Sequence, residues 1–99
     1  MVLYSIKNTL TNTFNPPFVA RDQLDAKETV RKAIISGRDI SLLIELDNLE
    51  LYDVGTFDAG TGMLLPFFDE ALEKVVSLSE IPLPEHLNKM IEKLKEVKE

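Results

Sequence analysis

The 99-residue chain contains no cysteine. Disulfides and thiolate metal sites are therefore excluded, and the composition fits a reducing compartment such as a cytoplasm. Histidine is nearly as scarce. His86 stands alone, and one imidazole without cysteines completes neither a zinc site of usual composition nor, lacking a nearby nucleophile, a hydrolytic triad. No apolar run reaches the roughly 18 residues that a membrane helix requires. The first residues, Met1 to Leu10, hold no basic leader ahead of an apolar stretch, so no signal peptide is expected. Gly60 and Gly62 are not followed by Lys-Ser/Thr and make no phosphate loop. The expectation is a soluble, intracellular protein with no cofactor.

Charge is present in excess of one sign. Seventeen acids against eleven basic residues give a net charge of −6. From Asp39 to Glu73 there are nine acids and no Lys or Arg, whereas Glu85 to Glu99 carries four of each sign. An acidic average disfavours nonspecific binding to a phosphate backbone. Only the segment from Arg21 to Arg38 has a basic surplus, so Arg21, Lys27, Arg31, Lys32 and Arg38 are the candidate nucleic-acid contacts. The competing reading is a solvated helix face.

An apolar fraction of 44% in 99 residues supports one domain with a modest core, spanning 1–99. Val2, Tyr4 and Ile6 alternate with Leu3, Ser5 and Lys7, which predicts a strand over 2–7. Asn8 to Asn15 is turn-rich, and Pro16-Pro17 holds the next stretch extended. Phe14 and Phe18 flank the prolines. They read either as anchors on the core or as part of a proline/aromatic docking surface, with anchoring favoured. Asp22 to Ser36 reads as a helix: Asp22 caps it, Ala26, Val30, Ala33 and Ile34 form a stripe, and Gly37 suits the C′ position. Residues 39–48 fit a strand or a helical face, and a short helical turn into the next strand is favoured. Leu49 to Pro66 predicts a hairpin, with strands over 49–58 and 62–66 and a turn in which Gly60 and Gly62 can take positive φ. Phe67 to Leu78 reads as a helix with Phe68, Leu72, Val75 and Val76 on one face. Ser79 to Pro84 is the candidate flexible joint before a last helix over 84–97. Leu87, Met90, Ile91, Leu94 and Val97 stripe that helix and are the candidate oligomer contacts, with packing in the same chain as the alternative. The fold class is α+β: a small antiparallel sheet with a helix laid across it and helices at the C-terminus.

Chemistry is sparse. Asp53 and Asp58 flank Gly55 and could offer oxygen ligands, but their spacing is not that of an EF-hand and Asp58 suits a turn. Asp69 and Glu70 are adjacent on the predicted helix and point apart. Tyr4, Tyr52 and Phe57 could stack bases on a sheet; core packing is favoured for them. No cluster converges on a catalytic arrangement, so a non-enzymatic protein is expected.

Two segments taken together resemble a known family. One is Tyr4-Ser5-Ile6, then Phe14-Asn15-Pro16-Pro17-Phe18-Val19-Ala20 and a helix. The other is Leu51-Tyr52-Asp53-Val54-Gly55-Thr56-Phe57-Asp58 with Thr61-Gly62. In order and spacing they resemble the small nonstructural ORF5-type protein of gokushovirus-like microviruses, which are single-stranded DNA phages. The resemblance covers about residues 3–63. It departs at Ile44 to Asn48, where the family often has a His-Pro-Glu-Asp-like loop, and nothing matches from Pro66 onward. The resemblance implies a nonstructural accessory protein of the host cytoplasm, acting in single-stranded DNA synthesis or packaging, with no catalytic residues to carry over. Phage replication or procapsid proteins are the partners it implies, with single-stranded DNA bound weakly. The acidity of residues 39–73 favours protein contacts over DNA. A homo-oligomeric adaptor assembled through the last helix is the alternative.

Overall fold

A computed structural model describes residues 1–36, 43–67 and 72–98. Among them the chain forms an antiparallel sheet of six strands and two α-helices, the expected α+β class. The strands are β1 (Val2–Asn8), β2 (Thr13–Phe14), β3 (Phe18–Ala20), β4 (Leu49–Phe57), β5 (Leu64–Pro66) and β6 (Glu73–Ser77); the helices are α1 (Gln23–Ile35) and α2 (Glu85–Lys98).

The six strands occupy four lanes. β1 and β4 run side by side in the middle, Val2 opposite Thr56 through Asn8 opposite Leu49. Each outer lane is broken into two pieces. β3 pairs with the first half of β1 and β2 with its last two residues. Likewise β5 pairs with the end of β4 and β6 with its first half. Prolines explain both breaks: Pro16 and Pro17 interrupt one lane, and Pro66 ends β5 in the other, since none can donate to a ladder.

Alternation then assigns the faces. Val2, Tyr4 and Ile6 of β1, with Leu49 and Leu51 of β4, meet Ala26, Val30 and Ile34 of α1 in one core. Asp22 caps α1 by accepting from the Asp25 amide at 2.8 Å, and Ala33, counted in the apolar stripe, is exposed. A turn of 3₁₀ helix at Leu46–Asn48 leads into β4, the helical turn favoured there, and buries Leu46; residues 39–42 and Gly37 lie outside the described residues. Leu78, Ile81 and, from α2, Ile91 close the same core. The opposite face of the sheet carries neither helix.

Three expectations are corrected. The predicted helix over 67–78 is wrong where the chain is described: Glu73 to Ser77 is strand β6, and Leu78–Glu80 is a 3₁₀ turn. Spacings of three and four among Leu72, Val75 and Val76 mimicked a helical face. In fact Val75 is the extra residue of a bulge, which breaks the alternation, and Val76 reaches the core opposite Leu51. Phe68 to Ala71 lie outside the described residues. Phe18 does pack on the core, its ring 6.1 Å from that of Tyr4, but Phe14 is 42% exposed on the other face. Of the two turn glycines only Gly62 has positive φ, at 75°. Gly60 instead donates its amide to the Asp58 carboxylate at 2.8 Å, the turn role expected of Asp58.

Gly55 is required for close approach. A Cβ there would lie 2.5 Å from the Leu65 carbonyl oxygen and 3.0 Å from the Pro66 Cα, both backbone atoms of β5. Gly55→Ala is expected to destabilise the fold by about 1–3 kcal/mol, because a backbone cannot step aside cheaply; urea denaturation measures it. Asp53 is a second weak point. It sits between Tyr4 and Glu73 on the helix-covered face, and its Oδ1 is buried with no hydrogen-bond partner among the described residues. Burial pushes its carboxyl pKa up, the Gly55 amide works against that, and the Glu73 charge adds to it. A raised folded-state pKa contributes stability below the unfolded value of about 3.9 and loses it as pH rises through the folded value. Asp53→Asn is therefore expected to stabilise the protein by about 1 kcal/mol at neutral pH. The gain should shrink as thermal melts are repeated toward about pH 4.

Candidate functional site: the open face of the sheet

The face that neither α1 nor α2 covers is not the polar surface expected of a solvated antiparallel sheet. Its middle is an apolar trough of about 400 Å³. Leu3 and Ser5 of β1 and Val54 of β4 form the floor. Val54 is the extra residue of a bulge, since Leu3 faces Gly55 while Tyr4 faces Asp53. The walls come from the two broken lanes: Phe14, Asn15 and Pro17 on one side, and Leu64, Pro66, Phe67 and Leu72 on the other. One wall is fastened at its base by the buried Ser5 hydroxyl, which donates to the Asn15 carbonyl at 2.6 Å, and by the Asn15 amide, which donates to the Ile6 carbonyl at 2.9 Å. The other is tied by the Phe67 amide to the Val54 carbonyl at 2.9 Å.

Aromatic rings gather here. The chain has two Tyr and five Phe. Tyr4 and Phe18 go to the core side, and Phe68 lies outside the described residues. Phe14, Tyr52 and Phe67 line the hollows of the open face. Phe57 joins them by register, directly opposite Leu64. Phe14 and Tyr52 meet edge to face with centroids 5.7 Å apart, and the Lys7 ammonium lies 5.6 Å from each centroid. The Tyr52 hydroxyl donates to Glu50 at 3.3 Å, and Glu50 is paired with Lys74 at 2.9 Å. The bond from Lys74 holds the Glu50 carboxyl below its usual range and raises the Lys74 pKa, so both stay charged across the neutral range. Burial, and then the Glu50 charge, raise the Tyr52 pKa.

The acidic stretch from Asp39 to Glu73 does not make this face acidic. Among its described members only Glu50 sits on the open face of the ladder, and Lys74 neutralises it. Asp53 and Glu73 face each other on the helix side, and Asp58 occupies the hairpin turn.

The basic candidates from the sequence lie elsewhere, on and before α1. Arg21 pairs with Asp25 and Arg31 with Glu28, each at 3.6 Å, and Arg31 Nε also donates to the Pro82 carbonyl at 3.2 Å. Lys27 is half-buried, Lys32 is exposed, and Arg38 lies outside the described residues. The described members are thus strung along α1 and just before it, on the far side of the sheet. Of the candidate oligomer contacts, Leu87 and Ile91 are buried and Leu94 packs on the core of its own chain, which leaves Met90 at 45% exposure. Nothing is described of the Val97 side chain. His86 is exposed in the first turn of α2. Among the described residues no group of three or more His, Asp or Glu is placed to hold a metal ion, and no helix is long and apolar enough to cross a membrane.

The open-face site was half visible in the sequence. The proline/aromatic docking surface and the stacking rings Tyr52 and Phe57 were both weighed there, and the signal that joins them is strand parity. Tyr52 faces Ser5, so it must lie opposite the face that Leu51 and Ile6 bury.

No curated protein sequence and no solved structure matches the chain. A family model described as Phage ORF5 protein matches residues 1–81. That match takes in every strand of the sheet, both walls of the trough and α1, and the chain belongs to the Phage ORF5 protein family.

Proposed function

We propose that this ORF5 protein is a non-enzymatic accessory protein of a single-stranded DNA phage of the gokushovirus type. It acts in the host cytoplasm, in genome synthesis or packaging, and its working surface is the open face of the sheet. One observation carries the reading: four aromatic side chains share the sheet face that neither α1 nor α2 covers, beside a lysine. Exposed rings on a sheet are the means by which single-stranded nucleic acid is held without sequence preference, because every base has a π-face. The protein is acidic overall, so the binding is stacking-led and weak.

A protein partner has its own support. Met63, Leu64 and Leu65 at the end of the β4–β5 hairpin are 56%, 57% and 53% exposed, a run of apolar surface that a replication or procapsid protein could cover. The two contacts are compatible, since Leu65 points away from the trough that Leu64 lines.

Fluorescence anisotropy with a labelled oligothymidylate of about twelve nucleotides tests the DNA contact. Phe14→Ala and Tyr52→Ala are each expected to weaken binding by about tenfold. Lys27→Gln and Lys32→Gln should leave it unchanged. Between about 50 and 200 mM salt, log K should fall against log salt with a slope between about −0.7 and −1.4, one or two phosphate contacts, whereas four contacts along α1 would give about −2.8. Absence of binding at low salt, or sensitivity confined to the α1 lysines, would reject the open-face reading.

A further inference from the structure

Two hollows lie side by side on the open face. The apolar trough is one. The other, also about 400 Å³, is lined by Lys7, Asn12, Phe14, Tyr52 and Leu72. Phe14 and Leu72 belong to both, so a single ring edge separates an apolar hollow from a cationic one.

Lys7 is unlike the other described cations of this face. Its ammonium rests against two rings, and none of the ion pairs among the described residues includes it. Glu50, which feels the Lys7 charge, already holds Lys74 at 2.9 Å. Lys7 is half-buried, and the two rings beside its ammonium restrict where it can go. A cation held beside two rings, whose cross-strand carboxylate Glu50 is already paired with Lys74, is complementary to a further anion. A trough walled by Phe14, Phe67 and Pro66 is complementary to a flat apolar ring. The ligand class that joins a flat ring to one anion over so short a span is a nucleotide.

An extended peptide fits less well. Strand addition needs a free backbone edge. The floor here is the face of β1 and β4, and both edges of each are already paired in the ladders.

We propose that the two hollows form one phosphate-anchored nucleotide seat. A base lies in the trough against Phe14, and the adjoining phosphodiester passes the edge of that ring to meet Lys7. The inference rests on the open-face reading and sharpens it. Lys7 supplies the principal phosphate contact, and the footprint on single-stranded DNA is about two to three nucleotides, the number that a sheet of four lanes can stack. The protein is then a local clamp on the strand rather than a coat that winds along it.

The test uses the full chain, oligothymidylates of about two to twelve nucleotides, and the variants Lys7→Gln, Lys7→Arg and Lys32→Gln, with thermal melts to show that each is folded. Affinity is expected to level off beyond about three nucleotides, apart from the statistical gain of extra registers on a longer strand. Lys7→Gln should make the log K against log salt slope shallower by about 0.7. Lys7→Arg should restore it, and Lys32→Gln should not change it. If DNA binds but affinity climbs steadily to about twelve nucleotides, or Lys7→Gln leaves the slope intact, the seat is wrong and the open-face reading stands. If no oligonucleotide binds at low salt, both fall. If polyglutamate displaces the DNA as well as unlabelled oligothymidylate does, Lys7 serves an acidic protein and the nucleotide assignment is overturned.

Discussion

The ladder between β1 and β4 is the constraint on which the rest depends. It joins distant parts of the chain, Asn8 with Leu49 and Val2 with Thr56, and is the longest lane boundary among the described residues. The outer pieces are two to five residues long, too short to hold together without a preformed edge. Register in this central pair also decides what each face is. A slip of one residue would carry Ser5 and Lys7 into the core and push Tyr4 and Ile6 onto the open face. The aliphatic and aromatic side chains that α1 packs against forbid that slip, so the same burial that stabilises the core fixes the identity of the site on the other side.

Two bulges, one in that ladder and one where β6 pairs with β4, adjust the sheet where the site needs it. Val54 is inserted between the pairs that Tyr4 and Leu3 make, which turns β4 and presents the Val54 side chain to the trough. Gly55 follows, and its missing side chain lets the β5 backbone come close enough to make a wall. Val75 does the same service in β6, returning Val76 to the core while Lys74 stays on the open face beside Glu50. In each case one unpaired residue re-aims its neighbours, which is what bulges do.

Much of this was legible in the sequence where local signals were strong. Asp22 as a cap with the Ala26–Val30–Ile34 stripe marked α1, and the parity of Val2 to Lys7 marked β1. The strands β2 and β3 were not legible, because two or three residues beside prolines carry no period. The segment 73–77 was misread for a related reason. Its bulge spaces Leu72, Val75 and Val76 as a helix would, and only pairing with Glu50 to Asp53 makes it a strand. The site was harder to see than the fold. Charge was counted along the segment from Asp39 to Glu73, but charge acts by face, and alternation sends Asp53 and Glu50 to opposite sides. Phe14 was assigned to the core because a phenylalanine beside prolines usually has somewhere to hide. Which face would stay uncovered depended on how α1 and the last helix pack, and that is tertiary information.

The breaks in the outer lanes tie stability to function. An unbroken antiparallel sheet would present a flat face, and rings on it would be dispersed in water. Here Pro16-Pro17 lift the chain off β1 beside Ser5 and Ile6, and Pro66 ends β5 just before Val54, so the two breaks are staggered along the ladder. Leu3, on the floor between the resulting walls, is only 6% exposed although neither α1 nor α2 lies above it. The trough is therefore built by the same residues that keep the sheet edges short and unattractive to other strands. Its apolar walls remain exposed at a cost in stability that a purely structural face would not carry. The acidic remainder of the chain balances this. A net negative charge favours dispersion of a chain with exposed Phe14, Leu64 and Phe67, and it opposes phosphate on average over the surface. Repulsion spread over the surface and a single lysine at the trough favour, for the proposed strand contact, one that is local, shallow in its salt dependence and readily reversed. Those are the properties that the proposed contact needs if a strand must later be handed on.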